Sequence, residues 1–282
     1  MLKKALVLIS ILAVPASFAC DMHGKTGFMP DNDMQIAVGD KNANDMTEEK
    51  FNAIIDKVEA VYKKVVKSKK AILKVKRKWT NNTVNASAQQ MWKYWIVNMY
   101  GGLARHPDVS ADGFAMVVCH ELGHHLGGAP KYSGWASNEG QADYFGSMKC
   151  FRRVYENDDN VAIISKMEVD QEASDKCNTS FTNEGEVALC IRAAMAGKSL
   201  AKLLNRGRAV SFKTPDTSVV DQTNNKHPAG QCRLDTYFQG ALCTKEWSRE
   251  VDPKDPTKGV CNRSENYKLG VRPLCWYKPA DS

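Results

Sequence analysis

The spacing of apolar positions along the chain changes several times, and each change marks an element. Residues 5–14, ALVLISILAV, form an unbroken apolar run behind Lys3 and Lys4, with Pro15 and the small-residue stretch ASFA (16–19) after it. Basic, then apolar, then small is the order of a secretory signal, and the run is too short to span a bilayer. Residues 20–46 are rich in Gly, Asp and Asn with little periodicity, which predicts a loosely ordered lead. From residue 47 the pattern turns helical. Phe51, Ile54, Ile55, Val58, Val61, Tyr62, Val65 and Val66 recur at i, i+3, i+4 and i+7 spacing, behind a capping residue at Asp45 or Thr47. This predicts an amphipathic helix over 47–68. Between 71 and 105, ILKVKRKW, TVNASAQQ and MWKYWIVNMYGG are rich in β-branched and aromatic residues with Asn and Gly breaks, predicting two to four strands. Further helices are predicted over 112–127, 135–156, 184–206 and 228–243. Residues 207–226 read as loop, and no internal repeat occurs.

The fold class this predicts is α+β, mostly helical with a small mixed sheet. One domain spans 47–243. The signal (1–19) and the lead (20–46) precede it, and a cysteine-containing tail (244–282) follows.

Composition changes this picture only at the cysteines. Of the 282 residues, 39 are basic and 32 acidic, a formal +7. Loss of Lys3 and Lys4 with the signal leaves a mildly basic chain, and nothing resembles a nucleic-acid module. The lysines of the first helix and those following it read as a solvated face, with attraction to an anionic cell-envelope surface as the alternative. Nine cysteines in an exported chain predict disulfides. Eight lie from Cys119 onward. The ninth, Cys20, would be the first mature residue. There SFAC is a poor lipobox, because Ser17 and Phe18 stand where an aliphatic and a small residue are usual. Lipidation of Cys20 and a free or intermolecular thiol both stay open. Cys232 and Cys243 are excluded as partners if one helix joins them, since eleven residues at about 1.5 Å each hold them roughly 16 Å apart. The expected location is therefore periplasmic or extracellular, with Cys20 the one route to membrane attachment.

The chemistry concentrates in VVCHELGHHLGG (117–128). His120 and His124 are four apart and share a helix face. With Glu121 they form H-E-x-x-H, in which the histidines bind Zn²⁺ and the glutamate is the general base. A third ligand is needed. A metzincin pattern fails, because Pro130 stands where its last histidine belongs. The stretch SNEGQADYFG (137–146) offers Glu139 instead, with Asp143 one turn later to accept the N–H of His120. Cys119 points about 100° away from His120 round the helix, which favours a disulfide or a buried thiol over ligation. His125 points away from the pair, and His23 and His106 read as incidental.

H-E-L-G-H (120–124) with E-G-Q-A-D (139–143) resembles the gluzincin zinc peptidases. It is similar to the E-x-x-A-D form of the family that includes the CAAX prenyl proteases and their bacterial heat-shock and periplasmic relatives. HPAGQCRL (227–234) resembles that family's H-P-x-x-x-x-R-[IL] motif through His227, Pro228, Arg233 and Leu234. The resemblance covers roughly residues 47–243. It implies a zincin-like catalytic domain, with His227 over the metal, as oxyanion stabiliser or resting-state cap, and Arg233 supporting the site. TVNASAQ (83–89) is similar to part of the family's N-A-x-A edge strand. Asn85 and Ala86 would then lie where substrate backbone pairs with the sheet. The chain departs from many members of the family in showing no membrane-spanning segment, and from the family motif in its cysteine-rich tail.

The function expected from these residues is a zinc-dependent endopeptidase acting on protein or peptide substrates. The alternative is a zinc-bound envelope assembly or chaperone-like factor, with latent or no proteolysis because His227 holds the fourth metal position. A structural zinc site is disfavoured, because it would use four Cys or His ligands and leave Glu121 idle. A housekeeping and a nutritional or toxin-like protease read alike in sequence, and oligomeric state is not legible.

Overall fold

Thr47 accepts a hydrogen bond from the Lys50 amide and so starts helix α1, Glu48–Ser68, whose apolar stripe of Phe51, Ile55, Val58, Tyr62 and Val66 is buried. The structure, a computed structural model, describes residues 27–280 together with Ser17 and Phe18. The rest of the signal, Cys20 and His23 lie outside the described residues. Strands β2 (Ile72–Lys78), β3 (Ala86–Met91) and β4 (Tyr94–Tyr100) follow α1. The β3–β4 hairpin is antiparallel, and β2 runs parallel to β4, so the sheet is mixed. A two-residue strand β1 (Ser17–Phe18) adds to the outer edge of β3, with Ser17 opposite Gln90 and Phe18 opposite Gln89.

A short turn of helix, α2 (Gly101–Ala104), leads to α3, Ala111–Leu126. Every residue of α3 from Gly113 to His124 is buried, so it has no polar face and forms the centre of the molecule. It packs against α1, β3, α4 (Glu139–Phe145) and α8 (Glu184–Leu204). Residues 135–138 are not helical. Asn138 caps α4 instead, accepting from the Gln141 amide. The helix continues through a π-helical turn, Gly146–Phe151, into α5, Arg152–Tyr155. Between α5 and α8 come two helices that carry too few periodic apolar residues to announce themselves, α6 (Asn160–Ile164) and α7 (Gln171–Ser180). The helical segment α9, Gly230–Leu242, ends the series. Among the described residues no helix is long and apolar enough to cross a membrane.

Four disulfides join Cys119–Cys150, Cys177–Cys190, Cys232–Cys275 and Cys243–Cys261, which fits an oxidising compartment. Cys119 is therefore not available as a metal ligand, and Cys232 and Cys243 each pair into the tail. The tail closes over α4: Trp276 is fully buried, and a Cβ on Gly140 would stand 2.3 Å from its ring.

The lead differs from its expectation. From Gly27 onward it is ordered, because it runs antiparallel beside residues 82–86. The Phe28 amide donates to the Ala86 carbonyl at 2.9 Å, the Val84 amide to the Met34 carbonyl at 3.2 Å, and the Ile36 amide to the Asn82 carbonyl at 2.9 Å. Phe28, Met29 and Met46 are buried in the main core. Few apolar residues suffice here because backbone pairing supplies the rest of the order.

Candidate metal centre

Helix α3 carries His120 and His124 on one face, and α4 brings Glu139 against them. The approach of these two helices is close. A Cβ on Gly123 would lie 2.8 Å from the Ala142 carbonyl oxygen, so the glycine inside H-E-L-G-H is what lets α4 reach the histidines. One ligand atom each from His120, His124 and Glu139 lies within 4.8 Å of the others. His120 Nε2 stands 3.4 Å from Glu139 Oε2, and His124 Nε2 stands 3.6 Å from Oε1.

The other ring nitrogens are engaged behind the site. His124 Nδ1 donates to the Ser137 carbonyl at 2.9 Å, and His120 Nδ1 donates to Asp143 Oδ1 at 2.7 Å. A carbonyl can only accept, so Nδ1 of His124 carries the proton and its Nε2 presents a lone pair. Burial pushes the His124 imidazole down to about 4, keeping it neutral. Burial also disfavours charge on His120, but the Asp143 carboxylate outweighs it and favours the protonated ring. Burial pushes Glu139 up, and the surrounding His227, His120 and His124 outweigh that, holding its carboxyl well below the usual range.

Two imidazoles and an ionised carboxylate thus face one another in a dry pocket, all three side chains at most 4 % exposed. With His120 neutral, every facing atom is an acceptor. A bound cation would reconcile them, and an N, N, O donor set can hold a divalent metal.

Glu121 is fully buried, and neither carboxylate oxygen has a hydrogen-bond partner among the described residues. Burial, with the nearby Glu139 and Asp143 charges, pushes its carboxyl up to about 8, against the opposing pull of His120 and Arg233. A divalent cation alongside reverses that electrostatic balance.

Asp143 anchors a second layer. Arg233, on α9, grips it with a two-pronged contact, Nε to Oδ2 at 2.6 Å and Nη2 to Oδ1 at 2.7 Å. Tyr237, one turn along α9, donates its hydroxyl to Oδ1 as well. The remaining Arg233 nitrogen, Nη1, donates to the Phe28 carbonyl at 2.7 Å, while the Phe28 ring meets His120 edge-on at 5.1 Å. The lead is therefore one wall of the site. His227 Nε2 lies 3.5 Å from Glu139 Oε2 and donates to the Gly27 carbonyl at 2.8 Å.

The structure thus brings Glu121, Asp143, His227 and Arg233 around the His120–His124–Glu139 group. Asn85 and Ala86 sit at the edge of this region but pair with the lead. The Asn85 side chain bonds the Met29 amide at 2.9 Å and its carbonyl at 3.2 Å. His125 stands away from the group, stacked between Trp95 at 5.0 Å and Trp135 at 4.7 Å. His106 lies apart, beside Asp108.

Sequence reasoning missed three participants. Tyr237 had a signal, its i+4 spacing from Arg233. Phe28 and the Ser137 carbonyl had none, because one acts across about two hundred residues and the other through its backbone. No protein-family model, no curated protein and no solved structure matches the chain.

Proposed function

We propose that the protein is an exported zinc-dependent endopeptidase of the gluzincin type, hydrolysing peptide bonds in protein substrates in the cell envelope or outside the cell. The observation that carries this reading is the convergence of two imidazoles and a carboxylate beside Glu121, a buried carboxyl group with no hydrogen-bond partner among the described residues. A structural zinc site would fill its positions with Cys and His and leave Glu121 idle. Zn²⁺ suits three protein ligands of this kind with a further position open, and when bound it supplies Lewis acidity toward a carbonyl and a water.

The chain's own residues account for the rest of the reaction. Glu121 accepts a proton from the attacking water and passes it to the leaving amine. Asp143, held by Arg233 and Tyr237, keeps His120 with Nε2 forward. Once released from the Gly27 carbonyl, the His227 N–H is offered to the oxyanion that develops on the scissile carbonyl. Removal of the signal takes β1 away and opens the β3 edge at Gln89 to an extended substrate, in the antiparallel pairing that β1 itself adopts.

A second reading, a zinc-bound factor with latent activity, is favoured by the position of His227, whose Nε2 stands 3.5 Å from Glu139 Oε2 and so within reach of the fourth metal position. Incubating the mature protein and its Glu121→Gln variant with an unfolded protein substrate separates the two. Cleavage by the wild type alone supports the peptidase. No cleavage by either, with activity appearing in His227→Ala, supports latency.

A further inference from the structure

None of the candidate metal ligands lines a second cavity, about 530 Å³ between the C-terminal half of α1, the end of α3 and the tail around Trp247. Six cationic side chains line it: Lys64, Lys69, Lys131, Lys149, Arg153 and Arg249. A single carboxylate, Glu250, opposes them, and it is already paired with Lys69. Among the described residues the other five have no salt-bridge partner.

Like charges gathered round a concavity repel one another and destabilise the fold unless a counter-charge is bound. Lys149 shows the cost most clearly. It is 3 % exposed, and its ammonium donates to the Glu246 carbonyl at 2.8 Å. Burial, then the neighbouring charges of Arg152, Lys245 and Arg249, push its pKa down to about 8. Burial lowers Lys131 as well.

The walls between these cations are aromatic: Tyr62, Trp95 and Trp247. The Arg153 guanidinium lies 5.6 Å from the Tyr62 ring centre and 5.1 Å from that of Trp247, which fixes its plane and leaves its N–H edge for an acceptor. Ammonium and guanidinium groups lining one cavity suit a phosphate, with its negative charge and several acceptor oxygens. The indole walls suit an apolar or aromatic body, and the cavity falls in the size range of small-molecule sites, about 300–1,000 Å³.

We infer that this cavity binds an organic phosphate, its phosphate on Lys131, Lys149 and Arg153 and its apolar portion against Trp95 and Trp247. The same chemistry is offered by the headgroup region of an anionic lipid and by a soluble aryl phosphate.

Isothermal titration calorimetry of the mature chain tests the assignment with four probes: dihexanoylphosphatidylglycerol, phenyl phosphate, dihexanoylphosphatidylcholine and inorganic phosphate. The expected result is that one of the first two binds about tenfold or more tighter than inorganic phosphate, as burial of an apolar group against indole requires, and that the choline lipid does not bind. The tighter of the two identifies the source. Lys64→Glu and Arg249→Glu, both on exposed side chains, each weaken that binding about tenfold and leave the melting temperature and zinc content unchanged. Equal affinity for inorganic and organic phosphate, binding indifferent to the two reversals, or no binding by either organic phosphate overturns the inference.

Discussion

Replacing Arg233 by Met keeps most of the side-chain volume and removes the fork that grips Asp143. Both residues are fully buried, and the structure shows what is then left unpaired. Asp143 loses two bonds, at 2.6 and 2.7 Å, and its one fixed positive partner. The Phe28 carbonyl loses its donor at 2.7 Å. Breaking a buried pair from one side costs about 3–5 kcal/mol, and the orphaned carbonyl adds about 1 kcal/mol or more. At roughly 2–4 °C per kcal/mol for a chain of this size class, Arg233→Met should melt about 8–24 °C below the wild type. Circular dichroism melts with chelator present, disulfides intact, read this cost without a contribution from bound metal. The double variant Arg233→Met, Asp143→Leu removes both charges and should recover about 2–3 kcal/mol relative to the sum of the single changes. Refilled with metal, Arg233→Met should bind zinc about 10–100-fold more weakly, because His120 loses the support behind its orienting carboxylate. Additive single effects, or unchanged zinc affinity, would refute the coupling of α9 to the site.

Three other outcomes follow from the same geometry. Phe28→Ala opens a cavity between Arg233 and His120 and should cost about 3–5 kcal/mol, measurable by urea titration; a change below about 1 kcal/mol would show that the lead is not part of the core. Cys119→Ala with Cys150→Ala opens a 31-residue loop and should cost about 3–4 kcal/mol, while leaving the ligand geometry to α3 and α4; complete loss of zinc from a folded double variant would contradict that division. Burial pushes the Asp235 carboxyl up to about 6. A carboxyl raised on folding contributes stability that is present below its unfolded value, near 3.8, and is lost as pH rises through 6. Asp235→Asn should therefore flatten the fall in stability between about pH 4 and 6, by up to about 3 kcal/mol, and an unchanged pH profile would sink the assignment.

How far the sequence reached depends on whether a feature is written in local spacing. Helices α1, α3, α8 and α9 were legible within a residue or two because each repeats apolar positions at helical spacing. His120, His124, Glu139 and Asp143 were legible as a group because an i+4 interval on a helix fixes a shared face, and the two helices are adjacent in the chain. The start of α4 was misplaced, since Asn138 reads as a cap only once the chain before it is seen to be extended. The lead was misread because its order comes from pairing with residues 82–86, more than forty positions away. The cavity behind His125 was invisible for the same reason: Lys64, Lys149 and Arg249 carry no common pattern and meet only in the fold. The exclusion of a Cys232–Cys243 bridge needed only the length of a helix, whereas the actual partners, Cys275 and Cys261, needed the path of the tail.

The central claim is that His120, His124 and Glu139 hold a zinc ion for Glu121 to use. Zinc content per chain, measured by mass spectrometry on the purified wild type, Glu121→Gln and His120→Ala, tests it most directly when the same three samples are assayed for cleavage of an unfolded protein. The account predicts one zinc in the wild type and in Glu121→Gln, none in His120→Ala, and cleavage by the wild type alone. Full zinc in a folded His120→Ala protein, or cleavage by Glu121→Gln at the wild-type rate, would contradict it.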